Sequence, residues 1–255
     1  MLQQKQPDLQ PFVDRLTSRS TLSPDEQAAI MGLPIRMVEI APNHDLVRLG
    51  ERTDHTAFVA SGLVARVGQT SQGAKQITAL HIAGDMPDLL SVVQPAAAFA
   101  LEALSTTTVL RVPHAAIKQV LARYPAIAEA LWRHSAVEAN ILAQWLTNTG
   151  RRNAKGRLAH LLCEMAIRCG KRKVKGSIVY NLPMTQVHFA DATGLTPVHV
   201  NRSLKALKEV GVAVSHKTVR IEQWDKLANV ADFDSGYLQT ECTPDDRIRI
   251  LAPVS

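Results

Sequence analysis

One stretch decides the fold: residues 182–219 read LPMTQVHFADATGLTPVHVNRSLKALKEVGVAVSHKTV. Thr185 is a good N-cap, and Pro183 disfavours helix just upstream, so a helix is predicted over residues 186–193. Gly194 is expected to end that helix, because glycine tolerates the left-handed backbone of a helix C-terminus.

A second helix is predicted to follow at once. Thr196 serves as its N-cap, and Pro197 stands at the first helical position, where a missing N–H costs nothing. Apolar residues recur at helical spacing up to Gly211, namely Val200, Leu204, Leu207 and Val210. Two helices joined by a short turn form a helix-turn-helix, and the alternation over residues 212–221 predicts a hairpin wing with Lys217 at its tip.

The outer face of the second helix carries the chemistry. In a helix-turn-helix its N-terminal half enters the major groove of DNA, where Arg202 could pair bidentately with a guanine edge. Val198 could contact a thymine methyl group, and hydroxyl or amide groups suit phosphate oxygens. The predicted DNA-binding residues are Thr185, Gln186, Thr196, Val198, His199, Asn201, Arg202, Ser203, Lys205 and Lys217. The alternative is an ordinary helix pair with solvated basic residues.

Residues 190–196 (ADATGLT) and 198–204 (VHVNRSL) resemble the winged helix of Crp/Fnr-type bacterial transcription regulators. The resemblance is strong over residues 151–222 and mostly architectural over residues 30–150. It implies a homodimer on roughly palindromic double-stranded DNA, with RNA polymerase as a further partner if the protein is an activator. The best-known members read bases with an acidic residue and a further arginine, but Val198 and Pro197 stand at those positions here. The family's usual operators therefore do not carry over.

Charge is unevenly distributed along the chain. Residues 151–226 hold 15 Lys and Arg against 5 Asp and Glu, whereas residues 1–150 have a net charge of −1 and residues 227–255 of −3. Phosphate binding requires positive charge of this kind, concentrated in the helix-turn-helix region. A protein-interaction module has no general need for it, and its binding should not weaken steeply with salt as DNA binding should.

The composition and motifs of the chain argue against several other classes of protein. A chain of 255 residues suits two modest domains, and the sequence has no apolar run that predicts a membrane span or a signal peptide, so a cytoplasmic protein is expected. Three cysteines, Cys163, Cys169 and Cys242, indicate reduced thiols rather than a disulfide framework. No phosphate-binding glycine loop, Gly-x-Ser-x-Gly elbow or His-Glu-x-x-His pair is present, so no enzyme is predicted.

Short strands at roughly ten-residue spacing are predicted between Val38 and Val112, which indicates a β-barrel or sandwich. By resemblance this part is the β-roll of the cyclic-nucleotide-binding fold, and the fold class is α+β. The predicted boundaries are 1–120 for the sensor-like β-roll, 121–150 for a dimerisation helix and hinge, 151–226 for the winged helix-turn-helix and 227–255 for a tail.

The nucleotide-binding residues of the resembled fold are not matched. Residues 84–89 (GDMPDL) place Leu89 near the expected glutamate, and residues 95–102 (PAAAFALE) contain no arginine for a cyclic phosphate. A buried phosphate without a cationic partner would be badly uncompensated, so the usual binding of cyclic AMP is not expected. The four cysteine ligands of an iron–sulfur cluster are also lacking, and no cofactor is predicted.

An alternative is a regulator whose β-roll binds a small molecule or haem. Histidines that could serve haem are His44, His55, His81, His114 and His134. An apolar ligand could lie near Met86, Leu89, Leu90, Val92 and Phe99, although such residues more often form core.

A long helix is predicted from Pro125 to about Asn148, followed by a hinge at residues 149–152. Its apolar stripe has the mixed three- and four-residue spacing of a coiled-coil seam. The predicted dimer seam consists of Ile127, Leu131, His134, Val137, Ile141 and Trp145. The alternative is that this stripe packs on the chain's own β-roll, and spacing alone does not separate the two.

Overall fold

The computed structural model describes residues 7–170, 173–174 and 176–240. They form two compact units. Of the described residues, the first contains those up to Arg66, His81–Glu138 and residues 239–240; the second contains Val67–Leu80 and Ala139–Leu238. The division falls between Glu138 and Ala139, inside the long helix.

The N-terminal half is the predicted β-rich fold. Its elements are α1 (Gln10–Thr17), α2 (Pro24–Met31), β1 (Arg36–Ile40), β2 (Asp45–Val47), β3 (His55–Ser61), β4 (Val64–Gln69), β5 (Lys75–His81), β6 (Ala100–Ala103), β7 (Thr107–Pro113) and α3 (His114–Arg123). The strands form two sheets, with orders β1-β7-β3 and β2-β6-β4-β5. Helix α1 was not anticipated, whereas Ser23 caps α2 in a capping box with Glu26.

The C-terminal half is helical, with a small antiparallel sheet. Its elements are α4 (Pro125–Arg151), α5 (Ala154–Arg168), β8 (Lys173–Val174), β9 (Ser177–Asn181), α6 (Gln186–Thr193), α7 (Pro197–Leu207), β10 (Val212–Ser215), β11 (Thr218–Ile221) and α8 (Trp224–Ala231). The sheet has the order β10-β11-β9-β8, so β9 and β8 extend the predicted wing. The predicted tail is described as far as residue 240, and Cys242 lies outside the described residues.

Helix α4 ends at Arg151, inside the predicted hinge of residues 149–152 but three residues beyond the predicted helix end. Residues 149–151 continue the helix, and α5 begins after Asn153, whose side chain accepts a hydrogen bond from the Gly156 amide at 2.9 Å. Gly150 has a helical backbone, and a Cβ added to it would meet nothing within 4 Å, so glycine alone was a misleading signal for a break. The interruption comes one turn later, because Asn153 supplies the cap.

The predicted dimer seam is wrong, because all six of its residues are buried within the single chain. Ile127 and Leu131 belong to the core of the first unit with Phe12 of α1, and the His134 ring meets Phe12 edge-on at 5.8 Å between centroids. Within the second unit, Trp145 Nε1 donates a hydrogen bond to Glu164. A helix that packs on its own domain has the same apolar spacing as a coiled-coil seam, which explains the error.

The opposite face of α4 is exposed and apolar. Trp132, Leu142 and Leu146 expose 72%, 44% and 74% of their surface. Trp132, Ala139 and Leu146 stand seven residues apart, with Leu142 three residues after Ala139. This heptad spacing, with apolar side chains open to solvent, is what a seam between two chains requires.

Candidate DNA-binding surface

Helix α6 begins with the cap that the sequence predicts. The Thr185 hydroxyl accepts a hydrogen bond from the His188 amide at 3.2 Å, and the Thr185 amide donates to His188 Nδ1 at 3.3 Å. This reciprocal pair satisfies two backbone donors that a helix start would otherwise leave unpaired. Thr185 and Gln186 are themselves exposed.

The turn between the two helices depends on Gly194. Its φ of 63° and ψ of 39° lie in the left-handed region, and its amide donates to the Ala190 carbonyl. Helix α7 then starts at Pro197, with the Thr196 hydroxyl accepting from the His199 amide at 3.3 Å. The predicted helix-turn-helix is therefore present at the predicted residues.

The residues buried on the inner faces of α6 and α7 agree only in part with those predicted from the sequence. Val200 and Leu207 of α7 are buried, as their helical spacing predicts, and Phe189 and Ala190 of α6 are buried too. Val187, the first apolar residue of α6, instead exposes 55% of its surface. Ser203, predicted to contact phosphate, is also buried, with 7% exposed. Its short side chain lies on the inner side of α7, one turn after Val200, so it is removed from the candidate DNA-binding residues.

The other predicted residues are all exposed. Val198 exposes 77% of its surface, and the whole set is exposed, namely Thr185, Gln186, Thr196, Val198, His199, Asn201, Arg202, Lys205 and Lys217. Thr185 and Thr196 use their oxygens as caps, which leaves each hydroxyl proton available to an acceptor. The start of α7 thus presents hydroxyl, imidazole, guanidinium and methyl groups together.

The wing is a two-residue hairpin. Strand β10 pairs antiparallel with β11, with Ser215 opposite Thr218, and β11 pairs in turn with β9. His216 and Lys217 have φ values of 49° and 62°, the left-handed conformation that a tight hairpin turn of this type demands. The Lys217 carbonyl accepts from the Leu182 amide at 2.7 Å, while its side chain is exposed.

Several basic residues of this region point inward. Arg157 donates to the carbonyls of Arg152, Thr193 and Gly194 at 2.9, 3.1 and 3.4 Å. Arg152 donates to the carbonyls of Ala231 and Asp232. The sequence could not separate such structural arginines from DNA-binding ones, because both kinds lie in the same positively charged region of residues 151–226.

A buried carboxylate anchors α5. Glu164 accepts hydrogen bonds from Trp145 Nε1 and the Tyr237 hydroxyl, each at 2.9 Å, and pairs with Arg168 at 3.0 Å. Burial raises the pKa of the Glu164 carboxyl, while Arg168, Tyr237 and Trp145 partly offset this by stabilising the ionised form. Local sequence patterns do not reveal this cluster, because Trp145 and Tyr237 are distant from Glu164 along the chain.

The β-roll contains a cavity of about 190 Å³. Arg66 of β4 lines it, although the sequence had indicated no cationic residue for this region. Arg66 Nη2 donates to the Pro87 carbonyl at 2.7 Å, and burial lowers the pKa of Arg66 while Glu138 and Asp88 raise it. The sequence did contain a signal for Arg66, because a charged residue between Ala65 and Val67 is unusual in an otherwise apolar strand.

The apolar residues proposed for a ligand divide into two groups. Met86, Leu89 and Val92 belong to the buried core, whereas Leu90 and Phe99 line the cavity and are partly exposed. Leu89, at the position expected for a glutamate, is thus a core residue.

The candidate haem histidines do not converge on this cavity. His114 Nε2 bonds to the Ser91 hydroxyl at 2.8 Å, and His44 and His55 bond to neighbouring residues of their own segments. His81 lies 3.7 Å from Glu138, and His134 packs on Phe12. Among the described residues, no group of His, Cys, Asp and Glu is arranged to hold a metal ion, and no helix is long and apolar enough to cross a membrane.

Comparison with known proteins agrees with this architecture. The family described as "Crp-like helix-turn-helix domain" matches residues 156–230, and the "Cyclic nucleotide-binding domain" family matches residues 37–124. The fold and the winged helix together define a bacterial-type transcription regulator of two domains. The chain belongs to the Crp/Fnr-type transcription regulators.

Individual relatives are distant but extend over most of the chain. The "Fumarate and nitrate reduction regulatory protein" of Escherichia coli (strain K12) is 24% identical over 86% of this chain and 88% of its own length. The structure of FixK2 from Bradyrhizobium japonicum has a TM-score of 0.70 and 26% identity, covering 78% of this chain and 98% of that one. A CooA mutant from Carboxydothermus hydrogenoformans has the same fold, with a TM-score of 0.63, 20% identity, and coverage of 77% and 88%.

Proposed function

We propose that this regulator binds a roughly palindromic DNA site as a homodimer, acting in the cytoplasm without catalysis. The observation that carries the proposal is the outer face of α7, where exposed Val198, His199 and Arg202 stand beside capped helix starts while Val200 and Leu207 are buried. This is the division of residues that a helix needs to enter the major groove. If the regulator is an activator, RNA polymerase is a further partner.

The homodimer forms through the exposed face of α4. Trp132, Ala139, Leu142 and Leu146 supply the a- and d-type positions of a two-stranded seam, and the six buried residues first assigned to the seam hold the helix on its own chain. An isologous interface between two copies relates their two α7 helices by two-fold symmetry. Each α7 is the reading helix, the one that enters the major groove. Such a pair reads half-sites about 34 Å apart, one turn of DNA.

Arg202 is expected to read a base. It is exposed on α7, so Arg202→Ala should cost about 1–3 kcal/mol of binding free energy on a site selected from random DNA with the wild-type protein. The loss should concentrate at one base position. Fluorescence anisotropy with single-base variants of the selected site measures both effects.

Lys205→Ala is the control for Arg202→Ala. It removes an exposed cation from the same helix, one turn further from its N-terminus, and should weaken all sequences about equally. If Arg202→Ala also weakens random DNA as much as the selected site, Arg202 contacts phosphate and does not read a base.

A ligand-responsive β-roll is the second candidate function, and the cavity beside Arg66 favours it. The cavity of about 190 Å³ is smaller than the roughly 300–1,000 Å³ of most ligand pockets. Asp88 also lines it, and the Asp88 carboxyl accepts from the Thr56 hydroxyl and the Ala57 amide. The small volume of the cavity and the Asp88 carboxyl both disfavour binding of a cyclic phosphate. A smaller ligand fits the cavity better.

Cyclic AMP and cyclic GMP are therefore expected to leave thermal stability unchanged. A nucleotide present at a hundred times its dissociation constant would raise the free energy of unfolding by about 2.7 kcal/mol. Differential scanning fluorimetry detects a shift of that size. A saturable shift that disappears in Arg66→Met would show instead that Arg66 replaces the missing arginine of the resembled fold.

A further inference from the structure

The last turn of α6 is capped from outside the helix. The final carbonyls of a helix have no partner within it. The Thr193 carbonyl accepts from Arg157 Nη1 at 3.1 Å, and the Asp191 carbonyl accepts from Gln76 Nε2 at 2.6 Å. Arg157 comes from the adjacent α5, but Gln76 lies 115 residues away in the chain. One cap of the helix-turn-helix is therefore supplied by strand β5.

Gln76 belongs to a segment that is fastened to the helix-turn-helix region at two points. Val67–Leu80 lies in the same compact unit as α5, α6 and α7. Besides the bond from Gln76 to Asp191, Arg168 Nη2 donates to the Leu80 carbonyl at 2.7 Å. Gln76 Oε1 would lie 3.9 Å from a Cβ added at Gly194, so its amide group reaches the turn itself.

The contact leaves the reading surface open. Thr185, Thr196, Val198 and Arg202 are all exposed while Gln76 is bound to Asp191. Gln76 therefore does not block DNA, and it contacts the end of α6 that leads into the turn before α7.

The bond to Asp191 is also the shorter of the two that this amide makes. Gln76 Nε2 donates to the carbonyl of its neighbour Ile77 at 3.0 Å, against 2.6 Å to Asp191. A side chain that served only its own strand would not need the second acceptor.

We infer that Gln76 is a positioning residue for DNA recognition, which holds the turn before the reading helix in a fixed place. The inference rests on the proposed binding of a palindromic site by a homodimer. Two reading helices must engage two half-sites together, and each freedom of orientation lost on binding weakens the complex. A reading helix that Gln76 already holds in place loses less orientational freedom on binding. Gln76 therefore strengthens binding without touching DNA.

The test compares Gln76→Ala, Gln76→Glu and Gln72→Ala in the full-length protein. Gln76→Glu keeps the shape but places an acceptor against the Asp191 carbonyl, and Gln72 is an exposed glutamine in the turn of the same hairpin. Both Gln76 variants should bind the selected palindromic site about threefold to tenfold more weakly, which is the range of one hydrogen bond. Gln72→Ala should bind as the wild type does. On a single half-site, which orders one reading helix instead of two, the two Gln76 variants should show a smaller loss than on the palindrome.

A second measurement needs no DNA. Hydrogen exchange at the Gly194 and Leu195 amides, which both donate to the Ala190 carbonyl, should be faster in Gln76→Ala than in Gln72→Ala. Unchanged exchange, unchanged or tighter binding of the palindrome, or an equal loss on the half-site would each overturn the inference. A wild-type protein that shows no preference for any palindrome would instead refute the proposed function, and the exchange result would still decide the role of Gln76.

Discussion

Leu146→Glu is expected to give folded monomers that no longer bind a palindromic site. Leu146 exposes 74% of its surface on α4, so the change should leave each chain folded. In a two-fold interface the charge would be buried twice without a partner, because an isologous contact repeats every defect. Light scattering should show the mass of one chain. Affinity for the selected site should fall by at least about a thousandfold, to the level of nonspecific binding.

Ile141→Glu is the matched comparison, since it places the same charge on the opposite face of the same helix. Ile141 is 3% exposed, so its replacement should destabilise the chain itself rather than separate two folded chains. Circular dichroism on heating distinguishes the two results. A Leu146→Glu protein that remains dimeric at the same concentration would place the interface elsewhere and contradict the proposed seam.

Glu164→Ala is expected to cause the largest loss of stability. The change removes the acceptor of Trp145 and Tyr237 and leaves the Arg168 guanidinium, 3% exposed, without its carboxylate. Removing one partner of a buried ion pair costs about 3–5 kcal/mol of unfolding free energy, because the other charge stays buried. Denaturant unfolding followed by tryptophan fluorescence measures this loss, since Trp145 and Trp224 both lie in the second unit.

Two controls separate this effect from a general sensitivity to lost charges. Glu164→Leu combined with Arg168→Met removes both charges and should recover most of the stability. Asp45→Ala breaks an exposed pair, in which Asp45 and Arg48 are 3.9 Å apart, and should leave unfolding unchanged. Equal losses in the single and the double variant would show that the hydrogen bonds matter and the buried charge does not.

Local signals in the sequence were enough for the winged helix. Thr185, Gly194, Thr196 and Pro197 act on the backbone within a few residues, and the structure has each in the predicted role. Such signals depend on local conformational preference, which a sequence displays directly.

The errors concern what a residue faces across the molecule. The stripe of α4 was placed correctly on a helix but assigned to the wrong partner, because periodicity gives the apolar face and not what covers it. Ser203, Arg66 and Gln76 were misjudged or missed for the same reason. Their roles depend on neighbours distant in sequence, such as the Pro87 carbonyl for Arg66 and the Asp191 carbonyl for Gln76.

The inward-facing arginines affect how many counterions the protein releases on binding DNA. The slope of log affinity against log salt is about −0.9 for each phosphate neutralised, and only cations that reach the phosphates contribute. The guanidinium groups of Arg152, Arg157 and Arg168 are engaged with backbone carbonyls or with Glu164. The 15 basic residues of positions 151–226 therefore overstate the number of ions displaced per chain. The number of ions released, measured from the salt dependence of affinity, would give the number of phosphates that the protein contacts. The net charge does not give that number.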